Sequence, residues 1–192
     1  MVKLAQGYAI RKAVLADLTA IMHVERQSFT AGIAESESVF TERLTHAPDC
    51  NFVLTNSQDK AVCGYFTAEI WEAVQPDAFA LGHSVRERHC SNGSSLYISS
   101  FALLPEIRGT RIGGGTTGLA ETFFAAALKC ITATFPQLER IILLVHEQWH
   151  KAISIYKSQG FTCTQIVNGF TWFGGKQALI YEKIIQKQEN KD

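Results

Sequence analysis

Residues 97–119 read YISSFALLPEIRGTRIGGGTTGL, and this stretch says most about the fold and the site. An apolar, strand-like run from Tyr97 to Leu104 is stopped by Pro105, and Arg108 and a cluster of glycines precede a long helical segment. A Gly-rich turn between a strand and a helix presents backbone N–H groups at the positive end of the helix dipole. Such turns bind anions, most often phosphates, so we expect a phosphate site here.

Two familiar phosphate loops do not fit this turn. A dinucleotide-binding loop lies in the first strand–helix turn and is followed by an acidic residue, whereas this glycine run lies in mid-chain after several antiparallel-looking strands. A Walker A loop needs Gly-Lys-Ser/Thr, which the stretch lacks. A purely structural turn is less favoured, because Arg108 and Arg111 add positive charge beside the glycines.

Length and composition favour one ordinary globular domain. The 192 residues are 46% apolar and 19% charged, and 18 basic residues balance 18 acidic ones. This balance gives no electrostatic footprint for nucleic acid or an anionic membrane, and no apolar run reaches the roughly 18 residues of a membrane span. We therefore expect a single domain over 1–192, with a polar tail at 186–192, and neither nucleic acid nor membrane as partner.

The five cysteines are widely spaced, odd in number and without a C-x-x-C pair. This spacing indicates reduced thiols rather than a disulfide framework or a zinc ribbon. The N-terminus also lacks the apolar core of a signal peptide. A cytoplasmic protein is expected.

Hydrophobic patterning predicts an alternation of strands and helices. Strands are expected at 8–12, 52–55, 61–70, 96–104, 141–145, 161–167 and 177–185, and helices at 15–29, 39–46, 116–134 and 151–159. The stretch 71–93 is the least regular and is expected to be a loop or a partly helical excursion. The order is that of an α/β layer architecture with a mixed sheet.

Several segments in this order resemble those of the GCN5-related N-acetyltransferase (GNAT) superfamily. Residues 108–113 (RGTRIG) are similar to its pyrophosphate loop, usually Arg/Gln-x-x-Gly-x-Gly/Ala, and 101–105 (FALLP) to the strand before it. Residues 149–161 (WHKAISIYKSQGF) resemble its second signature, Asn-x-x-Ala-x-x-x-Tyr-x-x-x-Gly-Phe, and 10–13 its first strand. The resemblance spans 8 to about 181 and implies a mixed, mostly antiparallel central sheet flanked by helices.

Two residues depart from the family pattern. Arg111 stands where the family usually has Gly, and His150 where it usually has Asn. Arg does not take positive φ freely, so we expect a reshaped loop. A weaker resemblance points to the arylalkylamine N-acetyltransferase branch, whose two relay histidines correspond here to Tyr97 and Ser99; the relay as such is absent.

The resemblance implies acetyl-CoA as donor and a primary amine as acceptor. Backbone groups at the end of the strand would meet the pantetheine amides and the thioester carbonyl, and backbone N–H groups of residues 109–114 would hold the pyrophosphate. The residues assigned to CoA binding are Phe101, Ala102, Leu103, Arg108, Gly109, Thr110, Arg111, Ile112, Gly113, Gly114 and His150.

Tyr156 takes the place of the tyrosine that protonates the CoA sulfur in such enzymes. A phenol is protonated at neutral pH and suits a general acid; the alternative is an aromatic side chain that only packs on the sheet. Tyr97 is the second catalytic candidate, through a water that deprotonates the amine, although a phenol is a poor base. Glu69 and Glu72 are alternative bases.

Three further acidic residues, Glu25, Glu35 and Glu37, lie where the first two helices wall the acceptor pocket in the family. A solvated acidic side chain is the simpler interpretation of each, and we favour it. His83 and His89 lie in the irregular stretch without further ligand spacing.

Residues 146–150, HEQWH, match the H-E-x-x-H motif of zinc proteases. That chemistry needs both histidines on one helical face and a third ligand downstream. Here His146 is expected at the end of a strand or in the turn after it, and no histidine follows His150, so we predict no metal site.

These observations favour a single-domain N-acetyltransferase that uses acetyl-CoA and works by direct attack in a ternary complex. No cysteine or serine is visibly paired with a base, which argues against a covalent intermediate. The alternative is an acyl-CoA-binding or regulatory domain of this fold with weak or no catalysis; a zinc hydrolase is a remote third. The acceptor is expected to be a small-molecule amine whose identity the sequence leaves open. The oligomeric state is also open, with a homodimer as one possibility.

Overall fold

The computed structural model describes residues 2–4, 7–74, 79, 81–113, 115–168 and 176–186. Over these residues the chain forms eight strands and five α-helices. The strands are β1 (Val2–Leu4), β2 (Tyr8–Lys12), β3 (Phe52–Asn56), β4 (Val62–Trp71), β5 (Ser95–Leu103), β6 (Arg140–His146), β7 (Thr162–Val167) and β8 (Ala178–Ile184). The helices are α1 (Leu18–Ser28), α2 (Glu37–His46), α3 (Val85–Arg88), α4 (Leu119–Thr134) and α5 (His150–Ser158).

The described strands form one sheet in the order β1-β2-β3-β4-β5-β6-β8-β7. Every neighbouring pair is antiparallel except β5 and β6, which run parallel. The helix α4 connects these two strands, as a parallel crossover requires. The predicted fold, a mixed and mostly antiparallel sheet flanked by helices, is confirmed.

One strand and several element bounds differ from the sequence prediction, and the largest differences in bounds are at the starts of α1, at Leu18 rather than residue 15, and of α4. The strand β1 was not predicted, whereas the short helix α3 lies inside the stretch that was expected to be a loop or a partly helical excursion. The helix α4 begins at Leu119 rather than at residue 116. Residues 116–118 instead fold back on the glycine loop, where the Ile112 N–H donates to Thr117 O at 3.0 Å. These backbone bonds compete with helix formation and delay the start of α4.

Apolar side chains cover both faces of the sheet. On one face, α4 and α5 pack through Phe123, Phe124 and Tyr156 against buried strand residues. On the other face, α1 and α2 pack against β3 and β4 through a smaller cluster that includes Phe40 and Tyr65. The smaller cluster borders several buried polar side chains, and it is this face that holds the candidate site.

The five cysteines are free thiols. Burial raises the pKa of the Cys50 thiol to about 12 and that of Cys63 to about 11, which makes both poor nucleophiles. In the described part of the chain no helix is both long and apolar enough to cross a bilayer.

Candidate functional site

The parallel strands β5 and β6 separate partway along their length. They pair from Ser95 and Arg140 to Ile98 and Leu143, but β5 continues to Leu103 and β6 to His146. Beyond Ile98 the side of β5 that faces β6 has no strand partner among the described residues, although β4 still pairs with its other side. The two strands therefore leave an opening in the sheet.

Backbone groups of β5 face this opening. The Leu104 N–H donates to Cys63 O on the β4 side at 2.9 Å. Because backbone groups alternate along a strand, those of Phe101 and Leu103 point the other way, toward the opening. Ala102, also predicted to contact CoA, pairs with Tyr65 of β4. The Leu103 carbonyl accepts the Arg108 Nε–H at 2.9 Å, which ties the glycine loop to the same edge.

A β-bulge lies at the start of the opening. The β4–β5 register shifts between Thr67 and Ala68, which pair with Ser100 and Ile98 and leave Ser99 as the extra residue. The Ser99 hydroxyl donates to the Thr67 carbonyl at 3.1 Å. The bulge bends β5 at the residue where it leaves β6.

A pocket lies beside this opening on the α1/α2 face. Ser99 and Leu144, the first residues beyond the last β5–β6 pair, both line it. Its other lining residues are Glu25, Phe29, Ile33, Glu35, Arg43, Leu81, His83, Tyr97 and Trp149. The pocket combines apolar and aromatic walls with several titratable groups, which is typical of a small-molecule site.

Glu25 on α1 is buried in this pocket and held by neutral donors. Its carboxylate accepts a hydrogen bond from the Tyr65 phenol of β4, and a second from the Glu35 backbone N–H at 2.9 Å. The Tyr65 oxygen in turn lies 2.8 Å from the Ser100 hydroxyl oxygen on β5. Burial raises the pKa of the Glu25 carboxyl above its ordinary value, and the two hydrogen bonds oppose part of that rise.

Glu35 forms a buried ion pair with Arg43. The Arg43 guanidinium donates to both carboxylate oxygens, with 2.9 Å between Nη2 and Oε1, and its side chain is 1% exposed. It also lies over the Phe40 ring, 5.2 Å from the centroid. The expectation of solvated side chains is therefore wrong for Glu25 and Glu35, because tertiary contacts bury both. Glu37, at the start of α2, is exposed as expected.

Tyr97 lines the pocket, whereas Glu69 does not and reaches it only through His83. Glu69 is fully buried on β4, bonds to His83 through one oxygen, and has no protein partner for the other among the described residues. Tyr97 stacks on Trp71 with 4.3 Å between ring centroids, and burial raises the pKa of its phenol. Glu72, the other predicted base, is exposed and outside the pocket.

Tyr156 lies on the opposite face of the sheet from Glu25. Its ring is 5.3 Å from that of Phe124, which is itself 5.3 Å from Phe101 of β5. The Tyr156 ring is also 6.5 Å from that of Tyr181 of β8, and Tyr181 pairs with Leu143 of β6. These contacts place Tyr156 near both strands that border the opening. Burial raises the pKa of its phenol, so the group stays protonated at neutral pH.

The glycine loop follows β5 and is mostly exposed. Gly109 and Gly113 have φ of +82° and +63°, whereas Arg111 pairs with Gly118 in an isolated bridge. The Arg108 guanidinium donates to the Ser28 hydroxyl at 2.8 Å, and that of Arg111 to Thr116 O. Two backbone amides predicted to bind pyrophosphate already donate inside the loop: Thr110 N–H to Ile107 O and Ile112 N–H to Thr117 O. Gly114 lies outside the described residues.

The remaining histidines lie on different elements. His146 is the last residue of β6 and accepts the Gln148 N–H at its Nδ1, whereas His150 is the exposed first residue of α5. His146 is thus at the end of a strand, one of the two positions predicted for it, and the two histidines do not share a helix. His89 follows α3 and accepts the Ile70 N–H at 3.1 Å, which anchors the end of that helix to β4.

Sequence reasoning missed Tyr65 and the bond between Glu69 and His83. One signal was available: Tyr65, Thr67 and Glu69 alternate with apolar residues along a strand that is otherwise buried. Polar side chains on the inward face of a strand indicate a functional pocket or a buried network.

No protein-family model and no curated protein sequence matches the chain. Solved structures do. The loading GNATL domain of CurA from Lyngbya majuscula has a TM-score of 0.75 at 12% identity, covering 93% of this chain and 98% of that one. The GphF GNAT-like decarboxylase in complex with isobutyryl-CoA has the same TM-score at 16% identity, covering 93% and 100%. The ribosomal-protein-S18-alanine N-acetyltransferase from Escherichia coli has a TM-score of 0.66 at 17% identity, covering 96% and 98%. The chain thus has the GNAT fold.

Proposed function

We propose that the chain is an acyl-CoA-dependent N-acyltransferase that moves an acetyl group from acetyl-CoA to a primary amine. One observation carries the proposal. The strands β5 and β6 part after Ile98 and Leu143, and the opening meets a pocket with buried acidic side chains. A thioester in the opening and an amine in the pocket would meet at this point.

The CoA moiety is assigned to the opening and the glycine loop. Phe101 and Leu103 present backbone groups to the opening, where amides of the pantetheine arm can pair with them as a strand would. Arg108 and Arg111 supply positive charge beside the exposed Gly109 and Gly113 for the pyrophosphate. Ala102, Thr110, Ile112, Gly114 and His150 remain predicted CoA contacts.

The two faces of the sheet divide the chemistry. On the α1/α2 face the amine nitrogen attacks the thioester carbonyl carbon, whose oxygen is stabilised by backbone N–H groups at the opening. On the other face Tyr156 gives its proton to the departing thiolate. Direct attack in a ternary complex suits this arrangement, because neither the attack by the amine nor the protonation of the thiolate needs a covalent enzyme intermediate.

The pocket fits a primary ammonium on an apolar body. Glu25 and Glu35 are the acidic groups of its lining, and Arg43 offsets only one of them. Phe29, Trp149 and Tyr97 supply aromatic walls, which favour cations and apolar groups. We therefore expect a small-molecule amine rather than an acidic substrate.

The test is release of CoA from acetyl-CoA in the presence of primary amines, with the products identified by mass spectrometry. An N-acetylated amine supports the proposal. Binding of CoA without any amide product would favour the acyl-CoA-binding domain without catalysis. Loss of carbon dioxide from a carboxylated acyl-CoA would favour a decarboxylase, the activity in the name of one similar structure. No binding of CoA at all would overturn the proposal.

A further inference from the structure

We propose that Glu25 is the general base that takes the proton from the acceptor amine, and that Tyr65 is its positioning residue. This inference rests on the N-acyltransferase function proposed above. It assigns the base to helix α1 rather than to Tyr97 or to the strand residues Glu69 and Glu72.

The acidic residues in and near the pocket differ in the groups that bind their carboxylates. Glu35 is bound by the Arg43 guanidinium, and Glu69 by His83. Glu25 has no cation at ion-pair distance among the described residues; its donors are the Tyr65 phenol and a backbone N–H. A carboxylate held by neutral donors keeps its basicity, whereas one neutralised by arginine loses it.

The position of Glu25 suits the transfer. It lines the same pocket as Ser99 and Leu144, which mark the opening where the thioester would lie. The titratable and charged groups that face it are Tyr65 of β4, Glu35 and Arg43 from the α2 side, and Tyr97 and His83 across the pocket. Burial moves the carboxyl pKa upward, toward the range in which a general base works best near neutrality.

The ammonium gives up two protons in this reaction, and each has a different acceptor. The amine enters as an ammonium and gives one proton to Glu25, which leaves a neutral nitrogen. That nitrogen forms the C–N bond as the C–S bond breaks, and its second proton replaces the one that Tyr156 gives to the thiolate. The proton on Glu25 is the one released overall.

Tyr65 and Ser100 give that proton a route. Tyr65 bonds Glu25 on one side and lies 2.8 Å from the Ser100 hydroxyl oxygen on the other. Ser100 is only half-buried, so the chain of hydrogen bonds leads from the pocket toward the surface. Tyr65 gives its own proton to Ser100 as it takes one from Glu25 and is not left as a phenolate, because burial and the neighbouring Glu25 hold the pKa of its phenol well above the ordinary value.

The experiment compares two acceptors with one aromatic ring. Benzylamine is an ammonium at neutral pH and needs a base, whereas aniline is already neutral and does not. Glu25→Gln keeps the shape of the side chain but removes the base. It is expected to slow acetyl transfer to benzylamine by about 10²–10⁴-fold, and transfer to aniline by far less. The rate with benzylamine should recover as pH approaches the pKa of the amine itself.

The controls distinguish the possible failures. Glu37→Gln, on the exposed start of α2, should leave both rates unchanged. An unchanged thermal shift with acetyl-CoA shows that Glu25→Gln is folded. Equal slowing of both acceptors, or of neither, would overturn the base assignment while leaving the N-acyltransferase intact. Failure of the wild type to acetylate either amine, or any other primary amine, would overturn both.

Tyr65→Phe gives a second test if Glu25→Gln does not fold. The phenol bond lowers the pKa of Glu25, so its loss should raise that pKa further. The acidic limb of kcat/KM should therefore move to higher pH, with little change in the affinity for CoA. A residue with only a packing role would leave the limb in place, and that result would contradict the proposal.

Discussion

The Tyr65 phenol on β4 donates a hydrogen bond to the Glu25 carboxylate on α1, and both side chains are buried. The contact joins residues 40 positions apart inside a cluster that is otherwise apolar. A buried carboxylate without a cation is costly to the folded state unless its other contacts offset the lost hydration. We therefore expect Glu25 to reduce stability at neutral pH.

Glu25→Gln should make the free energy of unfolding less dependent on pH. The pKa of Glu25 in the folded protein is raised above 4.5, so the folded state holds the proton more tightly than the unfolded state. Stability from this group is thus present below 4.5 and is lost as pH rises through the folded pKa. Urea unfolding across that window should show a smaller loss for the variant than for the wild type. Glu37→Gln should follow the wild type, and parallel curves for Glu25→Gln would contradict the expectation.

Acetyl-CoA should raise the melting temperature through the glycine loop. A ligand at 100 times its Kd stabilises the folded state by about 2.7 kcal/mol, which is roughly 5–10 °C for a domain of this size. Gly113→Glu should abolish the shift, because φ at Gly113 is +63° and the new carboxylate repels phosphate. Gly7→Glu, also at positive φ but between β1 and β2, is the matched control. An undiminished shift in Gly113→Glu would argue against the loop as the pyrophosphate site.

Tyr156→Phe should lower kcat by about 10²–10⁴-fold, the usual value of general acid catalysis. The ring packing on Phe124 is kept and only the proton is lost, so the affinity for acetyl-CoA should change little. Tyr181→Phe removes a phenol from the neighbouring buried ring and should leave kcat unchanged. A Tyr156→Phe enzyme with wild-type kcat would assign this tyrosine to packing.

Chelators should leave activity and melting temperature unchanged despite the H-E-x-x-H match. His146 ends β6 and His150 begins α5, and the His146 Nδ1 already accepts a backbone N–H. Metal analysis of the purified protein should find no stoichiometric zinc. Zinc that is present in the wild type and absent from His150→Ala would reverse this conclusion.

The sequence predicted most of the fold because its signals are local. Period-two and helical patterns located the long elements, and Pro105 and Gly160 marked the ends of two of them. The strand β1 has three residues, which are too few to show a hydrophobic period. The helix α3 is a single turn that packs against α2. Such elements depend on tertiary contacts and leave little pattern in the chain.

The site was harder to predict than the fold, for the same reason. Glu25 lies in an amphipathic helix, where an acidic residue is usually solvated. Its burial depends on packing against a distant strand, where Tyr65 bonds to it. Likewise His83 meets Glu69 of β4 although the two residues lie 14 positions apart. Spacing along the chain does not encode such contacts. The glycine loop was found because its motif is contiguous.

The separation of β5 and β6 makes the sheet two lobes, β1–β5 and β6–β8, joined by a short parallel ladder from Ser95–Arg140 to Ile98–Leu143. If the pantetheine arm lies along Phe101 and Leu103, its amides take the place of the absent strand partner of β5, between the two lobes. Binding would then hold the two lobes together, and amide hydrogen exchange should slow in the strands of both lobes rather than only at the residues that contact the ligand. The donor substrate would be a temporary part of the backbone scaffold.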